Sequence, residues 1–127
     1  MTEYLELEDL LAAAQAAIGG SPEIRDVGLL QSAADRPRLT AFGEEAYPEL
    51  DAKAAALLHS IVVGHPLVDG NKRLGWVAVR LFYRLNDADI RPEPDAAYEL
   101  IVEVAAGTIR DVPEIAARLR RLRLAPS

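Results

Sequence analysis

The chain has 127 residues, of which 50% are hydrophobic and 27% are charged, a composition typical of one folded globular domain. The absence of cysteine excludes disulfides and thiolate zinc sites, and no apolar run approaches the roughly 18 residues that a membrane span needs. The net charge of −6 argues against whole-surface binding to nucleic acid, and the acidic N-terminus is unlike a secretory signal. We therefore expect one domain over residues 1–127, located in the cytoplasm, without a nucleic-acid or membrane partner.

The N-terminal third predicts two helices and an exposed flap. The first helix is expected over residues 8–18, where apolar residues recur at helical spacing and Gly19 allows a left-handed stop. Asp26 is expected to cap a shorter helix that ends at Arg36-Pro37, because the residue before proline avoids helical geometry. From Pro37 to Pro48 the periodicity disappears, which predicts an exposed flap with a short extended piece and a turn.

The strongest helical patterns flank a short break in the middle of the chain. Residues 51–64 carry an apolar stripe, and residues 71–85 match the i, i+3, i+4 template throughout, so these two helices should form the centre of the core. Asn86 is expected to end the second helix in the left-handed conformation.

The C-terminal third predicts a stiff connector over Arg91–Pro94 and two further helices. Asp95 is expected to cap the first of them, and the second begins near Asp111 with Pro113 in its first turn. No segment outside the flap alternates with period two. The sequence therefore predicts an all-α fold, a compact bundle of about six helices with a short flap.

Arginines concentrate near the C-terminus of this acidic chain. They form either a surface for an acidic partner or a solvated helix face that favours the negative end of the helix dipole, and the second interpretation is the more economical. The arginines concerned are Arg110, Arg118, Arg120, Arg121 and Arg123.

The segment His65–Arg73 (HPLVDGNKR) joins the two most apolar helices and carries the chemistry. Gly70 permits a close approach of the backbone, and the first amides of the following helix are unpaired donors that point at anions. Lys72 and Arg73 occupy the first helical turn, where the macrodipole disfavours each cation by a few tenths to about 1 kcal/mol. A polyphosphate would neutralise both cations on binding.

Two residues of this segment each have two interpretations. Asp69 either caps the following helix or holds Mg²⁺ beside phosphates. His65 is either a structural residue at a helix end or a general base, since its ordinary pKa lies near neutrality. The combination of base, carboxylate, glycine and two cations within nine residues favours catalysis. No P-loop string occurs, and His59 with His65 lacks the spacing of a zinc hydrolase.

The segment resembles the signature of the Fic/Doc family, H-x-F-x-[DE]-[GA]-N-[GK]-R, with Leu67 in place of the usual phenylalanine. Leu67 should still anchor the loop as an apolar residue. The resemblance extends over roughly residues 5–101 and includes the stretch 25–37. Lys72, where AMP-transferring members have glycine, and Trp76, where they have a second arginine, both resemble the Doc branch.

This resemblance implies the toxin of a type II toxin–antitoxin system. The toxin would act as an ATP-dependent protein kinase (serine/threonine) that transfers the γ-phosphate to a threonine of elongation factor Tu and so stops translation. His65 would activate the target hydroxyl, Asp69 would bind Mg²⁺, and Lys72 and Arg73 would stabilise transition-state charge.

The resemblance also implies which residues bind the two substrates. The flap near Leu39 and Thr40 would align the target segment, by adding a strand. The ATP cradle would consist of Gly70, Asn71, Lys72 and Arg73.

The sequence lacks the motif by which some family members inhibit themselves, [ST]-x-x-x-E-[GN]. Thr2 with Glu6 and Thr40 with Glu44 have the first part of the spacing, but neither is followed by the required residue. The resemblance therefore implies a separate Phd-type antitoxin, whose disordered tail would fold over the helical surface, assisted by a basic patch over residues 118–123.

Three alternatives remain open from the sequence. The first is an adenylyltransferase (AMP transfer) that has lost the second arginine. The second is a non-catalytic module that binds an antitoxin. The third is a small DNA binder that uses the arginine-rich last helix, which the acidic balance disfavours.

Overall fold

The structure is a computed structural model that describes residues 1–90 and 94–124. These residues form six α-helices, a 3₁₀ turn and one two-stranded hairpin, which confirms the predicted all-α fold with a short flap. The elements are α1 (Leu7–Ile18), α2 (Val27–Asp35), the 3₁₀ turn (Arg36–Arg38), β1 (Thr40–Ala41), β2 (Glu44–Glu45), α3 (Leu50–Gly64), α4 (Asn71–Leu85), α5 (Pro94–Ala105) and α6 (Val112–Leu122).

Helix α3 lies at the centre of the core and contacts α2, α4, α5 and α6. Its small and branched side chains are buried on several sides, because residues 54–58 are all inaccessible to solvent. Gly75 lets α4 pack closely against α3, since a Cβ atom there would lie 2.8 Å from Val62 and 3.0 Å from Leu58. The segment between α3 and α4 is therefore held by two tightly packed helices.

Of the caps predicted at Asp26 and Asp95, the structure confirms the first, and Asp111, where the last helix was predicted to begin, is also a cap. The Asp26 carboxylate accepts a hydrogen bond from Leu29 N at 3.2 Å, and the Asp111 carboxylate accepts one from Glu114 N at 2.9 Å. The prediction that Asp95 caps α5 is wrong, because the helix begins at Pro94 and Asp95 lies in its first turn. Residues 91–93 of the predicted connector lie outside the described part of the chain.

The end of α4 also differs from the prediction. Asn86 has a φ of −110°, and Asp87, with a φ of 60°, takes the left-handed conformation instead. The Asn86 side chain bonds to the backbone N–H and C=O of Glu3 and to the C=O of Phe82. These bonds fix Asn86 as the residue that ties the N-terminus to α4, and the turn is made one residue later.

The flap is exposed, as predicted, and its extended piece pairs with a second short strand to form a hairpin. Thr40 pairs with Glu45 and Ala41 with Glu44, and the two-residue turn Phe42-Gly43 has positive φ at both positions, as a type I′ turn requires. Phe42 is fully exposed at the tip.

Lys53 of α3 binds the flap through three hydrogen bonds. This lysine is 1% exposed, and its Nζ donates to Glu45 Oε1 at 2.9 Å and to the carbonyl oxygens of Tyr47 and Pro37. Burial lowers the pKa of Lys53, but the contacts with Glu45 and Tyr4 outweigh burial and leave that pKa above its ordinary value. Both ends of the flap are thus tied to one buried ammonium group.

The C-terminal arginines make ion pairs within the molecule. Arg120 and Arg123 reach the buried carboxylate of Asp51 in α3, and Arg118 pairs with Glu103 of α5 at 2.8 Å. These ion pairs connect the C-terminal arginines with α3 and α5. In the part of the chain that the structure describes, no helix is long and apolar enough to cross a membrane.

Candidate active site

His65 terminates α3 in a left-handed conformation, with φ 54° and ψ 58°. A non-glycine residue adopts this geometry only when its surroundings hold it. Arg25 supplies part of that restraint, because its Nε donates to His65 O at 2.6 Å and its Nη2 donates to Gly64 O at 2.8 Å. The imidazole itself is exposed. Sequence analysis did not assign this role to Arg25.

The loop after His65 is anchored by Leu67 and Asn71. Leu67 is 1% exposed, which confirms that it anchors the loop in place of the family's phenylalanine. The Asn71 amide bonds to both backbone groups of Leu67 at 2.9 Å, and its Nδ2 lies 3.4 Å from His65 Nδ1. The Asn71 side chain therefore stabilises the loop. The group of Asn71 that could bind an anion is its main-chain N–H.

A short segment before α2 pairs with the loop like an extra strand. Arg25 N and Asp26 N donate to Pro66 O at 2.8 and 3.0 Å, and Val68 N donates to Glu23 O at 2.9 Å. These bonds satisfy the buried backbone of the loop. The loop is thus rigid on the side that faces α1 and α2.

Gly70 forms the N-cap of α4 with a φ of 89°, a conformation that side chains rarely adopt. A Cβ atom at this position would also lie 3.1 Å from Ile18 Cδ1. The Asp69 carboxylate accepts a bond from Gly70 N at 2.9 Å and does not cap the helix amides, so the capping interpretation of Asp69 is wrong. In the described chain no side chain caps the first amides of α4.

The residues predicted for catalysis and ATP binding line one cavity of about 840 Å³, which opens at the start of α4. Its polar wall brings together the residues that sequence analysis assigned to catalysis and ATP binding. Arg73 also donates from Nη1 to Ala17 O at 3.3 Å, which holds its side chain beside the end of α1. The residues of this wall are His65, Asp69, Gly70, Asn71, Lys72 and Arg73.

Most of the remaining lining comes from α4 and α5 and is apolar, except that it includes Asp95. Sequence analysis noted Trp76 but did not place Tyr98, Ile101 or Ala105 near it. These residues lie more than twenty positions along the chain from Trp76, and no local pattern predicts that they meet it. The described lining does not include the flap residues Leu39 and Thr40.

The polar wall has the chemistry of a site for Mg²⁺ with phosphates. Mg²⁺ in such sites takes one or two carboxylates and completes its shell with phosphate oxygens and water. Asp69 supplies one exposed carboxylate, and Lys72 and Arg73 lie on the same cavity. Within the described ranges, no group of three or more acidic or histidine side chains forms a cage for a metal ion.

His59 belongs to a different cluster from His65. Its Nδ1 lies 2.9 Å from Arg36 Nη1, and Arg36 also donates to Ser60 and Tyr47. Burial, and secondarily the charge of Arg36, lower the pKa of His59 below its ordinary value. This cluster joins the root of the flap to α3.

Two proteins are similar to this chain over nearly its whole length. "Toxin Doc" of Mycolicibacterium smegmatis is 46% identical over 121 residues, which cover 94% of this chain and 92% of that protein. "Protein kinase doc" of Escherichia phage P1 is 32% identical over 122 residues, which cover 94% of each. These similarities confirm the resemblance to the Doc branch. Residues 4–83 match the model of the Fic/DOC family, and the chain therefore belongs to that family.

Proposed function

We propose that the protein is a cytoplasmic toxin kinase that transfers the γ-phosphate of ATP to a threonine of elongation factor Tu. The observation that carries the proposal is the common cavity at the start of α4, lined by His65, Asp69, Lys72 and Arg73. The names of the two relatives, a toxin and a protein kinase, support it. A Phd-type antitoxin is the partner that would restrain the toxin.

Each residue contributes by its position. His65 accepts the proton of the target hydroxyl as the new O–P bond forms, and the bond from the γ-phosphorus to ADP breaks. Lys72 and Arg73 stabilise the charge that develops on the phosphoryl oxygens, and the uncapped amides of α4 add to the same field. Asp69 would hold Mg²⁺, which neutralises charge on the phosphates.

Phosphate transfer is favoured over AMP transfer by two residues at the start of α4. Lys72 puts a side chain where AMP-transferring members have glycine, and Trp76 replaces their second arginine. Both residues line the cavity. The phosphate groups would therefore meet one lysine and one arginine, with an indole one turn farther along the helix.

The test uses ATP labelled on either the α- or the γ-phosphate, incubated with the protein and elongation factor Tu. We expect γ-label on a threonine of the factor and none from the α position. His65→Ala should abolish labelling, since removal of a general base costs about 10²-fold or more. Transfer of the α-label would replace the proposal by adenylylation, and no transfer of either label would refute both.

A further inference from the structure

The tip of the flap carries an aromatic side chain that takes no part in the core. Phe42 is fully exposed, and a Cβ atom at the neighbouring Gly43 would meet nothing within 4 Å. Apart from their contact with each other, the strands β1 and β2 pack extensively against no helix of the described chain. The ring of Phe42 therefore meets solvent at the end of a protruding hairpin.

The geometry of the turn does not explain this residue either. The first central position of a type I′ turn has a positive φ, for which Asn, Asp and Gly are the favoured residues. Phe42 has a φ of 54° at this position, a conformation in which a bulky residue is an outlier. A phenylalanine here strains the backbone and leaves its ring in water, so the folded chain alone gives no reason for it.

The hairpin holds Phe42 on an anchored support. Lys53 binds carbonyl groups on both sides of the hairpin, those of Pro37 and Tyr47. Arg36, which precedes the flap, donates to the Tyr47 phenol and to the hydroxyl of Ser60 in α3, both at 3.1 Å. A side chain on an anchored support loses less conformational freedom when a partner binds it, and aromatic residues are enriched in protein interfaces for their large contact area.

The position of the flap on α3 indicates which partner meets Phe42. Ser60 lies five residues before His65, so the root of the flap is about 8 Å along the helix from the proposed base. A standard protein interface buries about 800 Å² on each partner, roughly 30 Å across, so one bound protein can cover both His65 and the hairpin. The described lining of the cavity does not include Phe42, which separates this residue from the nucleotide.

We propose that Phe42 is an anchor residue for the protein target, which takes up the ring in an apolar pocket on its surface. This inference rests on the proposed function and adds a specificity-determining contact outside the cavity. It differs from strand addition by the flap, because strand addition uses main-chain N–H and C=O groups and does not require the Phe42 side chain.

The kinetic test measures transfer of γ-label from ATP to elongation factor Tu. We expect Phe42→Ala to raise the KM for the protein target about tenfold or more, as for other interface anchors, with kcat and the Kd for ATP unchanged. Phe42→Trp should restore most of the native KM. Leu85→Ala is the matched control, since Leu85 is an exposed apolar residue at the end of α4 and outside the cavity lining.

Phe42→Asn supplies a readout that a structural role would not give. Asparagine suits the first central position of a type I′ turn, so the urea midpoint should stay the same or rise. The KM for the protein target should nevertheless increase as in Phe42→Ala. A midpoint that falls together with the rate of transfer would assign Phe42 to the stability of the hairpin and overturn the proposal.

The outcomes separate this inference from the proposed function. If the native protein transfers γ-phosphate and Phe42→Ala retains the native KM, the anchor is wrong and the kinase remains. A native protein that neither modifies elongation factor Tu nor binds it in calorimetry would refute both. Native dimers that Phe42→Ala dissociates in sedimentation, with the KM unchanged, would make the tip an interface between copies and overturn the proposal.

Discussion

At the scale of single residues, Arg25 bonds to the backbone of His65 without lining the cavity. Its two hydrogen bonds end on the last carbonyl groups of α3, where His65 holds a positive φ. Bonds from a charged donor contribute about 1.5–3 kcal/mol each to such a conformation. Without them we expect the end of α3 to relax and the position of the His65 imidazole in the cavity to change.

We therefore expect Arg25→Ala to lower kcat for phosphate transfer by about tenfold or more, with a smaller change in KM for ATP. Initial rates with γ-labelled ATP measure both constants. Arg110→Ala is the control, because Arg110 is also exposed and also donates to a carbonyl at a helix end, that of Gly107. An unchanged kcat in Arg25→Ala would remove the positioning role.

His59 should make folding stability sensitive to mild acid. Its pKa is lowered in the folded protein but returns to about 6.5 in the unfolded chain. Below that pH the unfolded state binds the extra proton first, so stability falls as the pH decreases from about 6.5 toward the folded-state pKa. We expect His59→Gln to reduce this loss, as measured by urea midpoints at about pH 7 and pH 5. Equal losses in both proteins would contradict the assignment.

At the scale of elements, the flap depends on Lys53. The hairpin has two-residue strands and too few hydrogen bonds to hold itself in place. The buried ammonium of Lys53 joins Glu45 to the carbonyls of Pro37 and Tyr47, so it fixes both ends of the flap on α3.

Lys53→Met keeps the length of the side chain but removes all three hydrogen bonds. We expect the free energy of unfolding to fall by about 1–3 kcal/mol and hydrogen exchange at Ala46 N to become faster. The KM for the protein target should rise, whereas the Kd for ATP should not change. Exchange mass spectrometry and transfer kinetics measure these effects. Glu45→Gln retains an acceptor and should change them less. A flap that exchanges slowly in Lys53→Met would refute the anchoring role.

Sequence patterns predict elements well where periodicity is strong. The bounds of α4 agree with the predicted 71–85, because Leu74, Ala78 and Phe82 recur at helical spacing and are buried, although Leu81 and Leu85 of the same pattern are exposed. The predicted end of α4 at Asn86 is confirmed, but the left-handed residue is Asp87, since the Asn86 side chain is bound to Glu3. The burial of Lys53 was not predicted, since its partners come from the flap and not from its own helix.

At the scale of the whole molecule, one buried carboxylate links α3, α4 and α6. Asp51 is 5% exposed and accepts a 2.7 Å hydrogen bond from Tyr83 of α4, while Arg120 and Arg123 reach it from the C-terminal end. Burial and the Asp51 charge raise the pKa of Tyr83 well above its ordinary value, so the phenol remains a donor.

We expect Asp51→Ala to lower the free energy of unfolding by about 2–4 kcal/mol, because it leaves the buried Tyr83 phenol without its acceptor and removes the ion pairs of Asp51 with Arg120 and Arg123. Asp51→Asn keeps the bond from Tyr83 and should cost about 1 kcal/mol. Urea denaturation gives both values. The control is Glu49→Ala, which removes an exposed ion pair with Arg120 and should change stability by less than about 1 kcal/mol.

The candidate site was predictable only in part, because some of its residues meet only through tertiary packing. His65–Arg73 is contiguous, so its residues are recognisable from local spacing alone. Tyr98 joins the site because α5 packs across α3 and α4, and that arrangement exists only in the folded chain.

The buried charges of α3 have a genetic consequence. When a growth-arresting protein is overproduced without its antitoxin, the cells that survive carry mutations that inactivate this protein. Such survivors should include changes at codons 51 and 53 as well as at codon 65, since replacements that leave the buried partners of Asp51 or Lys53 unmatched lower the stability of the fold. The spectrum of escape mutations would then map the interior of the protein as well as its chemistry.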